Sequence, residues 1–212
     1  MHGKIFASLY IGDLILYPSP APLAINTCSA PSPFGRGIWR DRICDAMVIG
    51  LLTASLLSIL CFLYTGWLGF AVHGPGDIGN HFLYGFFTTF LVTLAQSMTM
   101  FFFIGTGKQL KELVVNDEKG PEFVKRTKQF KAKTFPPMLW AMIFTMATMI
   151  VGGGVHTKVL PGFHLGAIHG VLATIALYYN LVATWRNAKY MIEHNMLMEE
   201  VEKRLVASPA SK

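Results

Sequence analysis

Four stretches of this 212-residue chain contain no Asp, Glu, Lys or Arg: 46–72, 78–107, 135–157 and 162–185. A helix crossing the roughly 30 Å hydrocarbon core of a bilayer needs about 20 apolar residues at about 1.5 Å each, and every run is long enough. A core helix of a soluble protein would alternate with a polar face, and these runs do not. Only 14% of the residues are charged and the mean hydropathy is +0.44, against about 25% charge in soluble domains. The expected architecture is all-α: an integral membrane four-helix bundle with a cytoplasmic amphipathic helical extension.

The charges outside those runs set an orientation. Eight of the 18 Lys and Arg residues lie between the second and third runs, from Lys108 to Lys133. Arg36, Arg40 and Arg42 precede the first run, and Arg186, Lys189, Lys203, Arg204 and Lys212 follow the fourth. The two short turns carry only Lys158. Positive charge stays on the cytoplasmic side, so both termini and the middle connection are expected there. The +6 net charge is then a topology signal, and no nucleic-acid partner is expected.

The expected organisation is a disordered tail over 1–40, a membrane domain over 41–206 and a short disordered tail over 207–212. Spans are placed at about 47–71, 79–106, 136–157 and 162–186, with a cytoplasmic connection over 108–134 and a cytoplasmic helix over 187–206. Asn80 is expected to cap the second helix, and Pro136 and Pro137 to open the third, where a missing N–H does no harm. Met191, Met198, Val201 and Leu205, with Asn195, recur at helical spacing after the fourth run, which favours packing of this extension on the connection.

Several chemistries are absent from the pattern. "GTGKQ" at 105–109 lacks the spacing of a phosphate loop and follows a helical run. Cys28, Cys44 and Cys61 have neither metal nor redox spacing. No nucleophile elbow, zinc-protease motif or carboxylate pair is present. The apolar runs hold none of the ionisable Asp, Glu, Lys or Arg residues that mark ion pumps. Gln96, Ser97 and Asn180 are read as interhelical hydrogen-bonding groups.

Five of the seven histidines fall at one end of these runs. "GFAVHGPGDIGNH" and "GGGVHTKVLPGFH" share Gly-x-x-Val-His and then a second His eight residues on. The shared positions are Gly69/Gly152, Val72/Val155, His73/His156 and His81/His164; a hairpin duplicated about an axis along the membrane normal would produce them, as would chance recurrence in membrane-edge turns, which favour Gly and tolerate His. His169 lies deeper, five residues past His164. Clustered imidazoles suit haem iron, Cu or Zn. A haem in a bundle would use His81 and His169 from facing helices, with Gly85, Gly166 and Gly170 giving room. A surface metal ion would instead use His73, His81, His156 and His164. Gly152, Gly153 and Gly154, and the Gly166-x-x-x-Gly170 spacing, equally suit close helix packing.

"SMTMFFFIGTGKQLKELV", residues 97–114, resembles a stretch of uncharacterised four-span bacterial membrane proteins. That resemblance implies a bacterial inner-membrane setting and brings no activity. The histidine-bearing four-helix layout is similar in architecture to b-type cytochrome membrane subunits, a likeness of fold rather than of site.

Three functions follow as expectations. The first is a non-enzymatic accessory or scaffold subunit of a membrane complex, in contact with the bilayer and other membrane subunits. The alternative is a redox subunit binding haem b, or a Cu or Zn ion, through the histidine cluster. The third is a channel for an apolar small molecule or lipid, which the Met- and Phe-rich second run would suit.

Overall fold

A computed structural model of the chain describes residues 38–156 and 163–207. The expected tails, at 1–37 and 208–212, and the turn with Lys158 lie outside the described residues. Within them the chain forms four helices: α1 (Ile38–Phe70), α2 (Pro75–Leu113), α3 (Gly120–His156) and α4 (Phe163–Ala207). They run up, down, up and down. Each packs on its two neighbours around the ring, and α2 and α4 also touch across the bundle axis. All four are long and apolar enough to cross a membrane.

The surface confirms the reading of composition. Leu56, Leu60, Leu63, Phe86, Phe90, Ile143, Ile150, Val171 and Tyr178 all point outward and are exposed. A soluble bundle would bury them; in hydrocarbon they cost nothing. The inside is correspondingly small and polar. Ser55, Ser58, Thr88, Gln96, Thr99, Thr145 and Asn180 are buried. Most of the threonines return their hydroxyl to the carbonyl four residues back, as Thr99 does to Ala95 at 2.9 Å and Thr145 to Ala141 at 2.7 Å. Their hydroxyl protons are thereby kept from the apolar medium.

The helices are longer than a membrane is thick. The 45 residues of α4 extend about 68 Å, more than twice the roughly 30 Å apolar core. The excess of α2, α3 and α4 projects from the end that carries the charges. There water is the solvent again, and the largest apolar cluster forms: Phe103, Leu110, Val114, Phe123, Phe130, Met191, Leu197 and Val201. The extension expected over 187–206 is thus the continuous second half of α4, and it packs on α2 and α3.

Two boundaries differ from expectation. The connection placed over 108–134 is mostly helix: α2 runs on to Leu113 and α3 begins at Gly120. The proline that opens α3 is Pro121, while Pro136 and Pro137 lie inside it. An interior proline leaves a carbonyl without its N–H. At Pro137 the bereft carbonyl is that of Lys133, and Arg186 of α4 donates Nη1–H to it at 3.1 Å. Likewise α2 starts before Asn80, after Gly74, and its first turn is capped by Asp77, whose Oδ2 accepts from the N–H groups of His73 and Gly74, each at 3.1 Å.

The α2–α3 connection is pinned by Asp117. Its carboxylate accepts from the Lys119 N–H at 2.8 Å and from Arg204 Nε at 3.0 Å. The Lys119 N–H chiefly, with Arg204 beside it, holds the carboxyl below its ordinary value of 3.8. A lowered carboxylate stabilises the fold above that ordinary value, and the contribution is lost as pH falls through the folded value. Asp117→Asn is expected to speed amide hydrogen exchange in residues 114–120 and the last turns of α4 at neutral pH. On acidification the exchange rates of variant and wild type should converge.

Candidate functional site

At the end of the bundle opposite the charges, α2 and α4 each project one half-buried histidine toward the axis. His81 sits in the second turn of α2 and His169 in the second turn of α4, on diagonal helices. Their ring centroids are 6.0 Å apart and their planes cross at 87°. His81 Nδ1 lies 3.1 Å from the Thr65 carbonyl of α1, and His169 Nδ1 lies 3.1 Å from the Thr148 carbonyl of α3. A carbonyl only accepts, so each Nδ1 carries the proton and donates. In a neutral imidazole that tautomer leaves the lone pair on Nε2.

These backbone anchors explain two glycines. A helical carbonyl lies beneath the side chain four residues on, which would shield it from a second donor. Here that position is Gly69 for Thr65 and Gly152 for Thr148. A Cβ on Gly69 would stand 2.9 Å from His81 Cε1, and one on Gly152 would stand 2.6 Å from His169 Cε1. Both are closer than van der Waals contact permits. Thr-x-x-x-Gly on one helix and His on the next is thus a unit, and it occurs once in each hairpin. Thr65 adds a side-chain hydrogen bond to Thr88 at 2.9 Å.

The structure revises the register of the duplication. Gly69 does match Gly152, as expected, but His81 matches His169 in its surroundings rather than His164. Twelve residues separate Gly69 from His81 and seventeen separate Gly152 from His169. The second connection is longer, so matching at equal spacing selects the wrong histidine. His73 is exposed, and its Nδ1 turns back to the Ala71 carbonyl at 2.6 Å. His156 ends α3 and His164 lies in the first turn of α4, with side chains outside the described residues. Among the described residues no three His, Cys, Asp or Glu side chains gather to hold a metal ion. The surface Cu or Zn site on His73, His81, His156 and His164 is therefore not assembled by what is described.

The other glycines divide. Gly85 would place a Cβ 3.7 Å from Thr65 and 3.8 Å from Met149, and Gly153 one 3.8 Å from Phe82, so both line the packed surroundings of the pair. Gly154 is half-buried in α3. Gly166 and Gly170 are exposed with open space where a Cβ would stand. Their expected part in helix packing within this chain is corrected: they face outward, and they give no room at the pair. Thr65 and Thr148 were not singled out from sequence, because what they offer is a main-chain oxygen. The one signal was the Thr-x-x-x-Gly spacing in "TGWLG" and "TMIVG".

Comparison with protein families, curated proteins and solved structures finds no match to this chain.

Gly152→Ala is expected to push the His169 ring off its anchor and lower unfolding stability in bilayers by about 1–3 kcal/mol, the usual cost of an overpacked contact. Gly166→Ala, with open space and better helix propensity, is expected to leave stability unchanged or raise it.

Proposed function

We propose that the chain is a haem b membrane protein whose iron is held by His81 and His169. The observation that carries this is the paired geometry of the two rings. A metal about 2.0 Å from one nitrogen of each of two opposed imidazoles spaces the ring centroids by roughly 6 Å, and the observed separation is 6.0 Å.

Three further features support the reading. Ligating histidines characteristically give their other N–H to a carbonyl or carboxylate, which fixes the tautomer and raises basicity; both Nδ1 atoms do so. Two histidines meet here, enough to hold a haem iron, whereas zinc takes three or four protein ligands. Gly69 and Gly152 let the two rings approach the neighbouring helices closely. A haem bound there supplies one-electron chemistry. The chain's own part is to hold both imidazoles oriented by their backbone carbonyls and half-buried between helices.

This is the alternative expected from sequence, a redox subunit, in place of the accessory or scaffold role; it would exchange electrons with other membrane components. The charge distribution supports an orientation with both termini and the charged helix ends in the cytoplasm and the histidine pair near the outer face. The resemblance of residues 97–114 favours a bacterial inner membrane as the setting.

Detergent-purified protein is expected to give the reduced-minus-oxidised difference spectrum of a low-spin haem. His81→Ala and His169→Ala should each abolish that band while leaving membrane insertion intact, and His73→Ala should leave it unchanged. Purified wild type with no haem would defeat the proposal, and stoichiometric Cu or Zn on elemental analysis would replace the cofactor.

A further inference from the structure

The bundle axis holds a second polar feature, between the histidine pair and the charged end. Five buried side-chain atoms there have no hydrogen-bond partner among the described residues: Ser55 Oγ on α1, Gln96 Nε2 on α2, and Asn180 Oδ1, Thr184 Oγ1 and Asn187 Oδ1 on α4. Ser55, Gln96, Asn180 and Asn187 are each no more than 1% exposed. They are not scattered. Asn180, Thr184 and Asn187 recur at spacings of four and three on one face of α4, within about 10 Å of helix axis. Asn187 Nδ2 donates to Gln96 Oε1 at 3.1 Å, which places Gln96 at the same level, and Asn180 Nδ2 donates to Thr145 Oγ1 at 3.0 Å. The amides thus already use one polar atom each, and the other is left over.

An unpaired polar atom in an apolar interior costs about 1–3 kcal/mol, so these five call for partners that the described residues do not supply. Such partners must both donate, to the three amide and hydroxyl acceptors of α4, and accept, from Gln96 Nε2. They must also be small and neutral, because no charged side chain is among these groups. Apolar side chains separate the seam from both ends. Phe62, Val92, Phe144, Ala176 and Leu177, which together come from all four helices, pack toward the histidine pair. Phe103 and Met191, both fully buried, pack toward the charged end.

We propose that this seam is an internal hydration site, in which ordered water bridges Ser55, Gln96, Asn180, Thr184 and Asn187 and ties α1 to α2 and α4. Buried water makes about three hydrogen bonds to otherwise unsatisfied groups, so five free atoms suit a small cluster of molecules rather than one. Within the membrane this water does what a hydrophobic core does in a soluble bundle: it makes the three helices one unit. The site stands on its own atoms, whether or not the histidine pair binds haem.

Two measurements on the full chain in lipid bilayers test it. The first is water-edited solid-state NMR, following magnetisation transferred from water protons to side-chain nitrogens. Transfer to the Asn180 and Asn187 amides is expected to be several-fold faster than to the backbone nitrogen of Ala176 in the apolar layer. Equally slow transfer to all three would overturn the proposal and show a dry seam. The second is the sign of the stability change in Ser55→Ala, a small substitution that leaves packing almost unaltered. Removing an unpaired hydroxyl from a dry seam raises stability, whereas removing one that holds water lowers it. A lowered unfolding midpoint is expected, and a raised one would contradict the hydration site.

Discussion

A helix gains nothing from burying leucine against another helix when the surrounding lipid is equally apolar. That constraint governs the bundle. Where the helices have an apolar exterior, their contacts rest on close approach and on hydrogen bonds: His81 to the Thr65 carbonyl, His169 to the Thr148 carbonyl, Thr65 to Thr88, Asn180 to Thr145 and Asn187 to Gln96. Where the helices pass beyond the apolar length, the rule reverses. Phenylalanine, leucine and methionine then form a conventional core, closed at its tip by Asp117 and Arg204.

The division explains why the candidate site lies at the opposite end. Two histidines can face each other across the axis only if nothing larger fills it. At this level the chain supplies glycine at 69, 85, 152 and 153. Each ring is fixed from behind by a neighbouring helix, so either hairpin carries a histidine and its positioning carbonyl together. Docking one hairpin on the other is what assembles the pair.

Much of this was legible in the residues, for reasons that differ by feature. The four spans follow from the lack of charge, which no tertiary contact can disguise. His169 was nominated for its depth and His81, though shallower, for its place on a facing helix, and the structure does bring those two rings together. The helix boundaries were harder. Pro136 and Pro137 would serve equally well as the start of a helix, and the sequence gives no sign that Arg186, some fifty residues on, satisfies the carbonyl Pro137 leaves free. The duplication was read in the wrong register because the two connections differ in length. The carbonyl anchors were invisible for a simpler reason: every residue has one, and only the glycine four positions later shows which is used.

The central proposal is that His81 and His169, whose ring planes stand 87° apart, would together hold one haem iron. The most direct measurement is the low-temperature electron paramagnetic resonance spectrum of the oxidised, purified protein. Two axial imidazoles held perpendicular give a strongly anisotropic low-spin ferric signal, with its largest g value well above that of parallel rings, and this account expects that signal. A high-spin ferric signal, a low-spin signal of the parallel-ring type, or no ferric haem signal would contradict it.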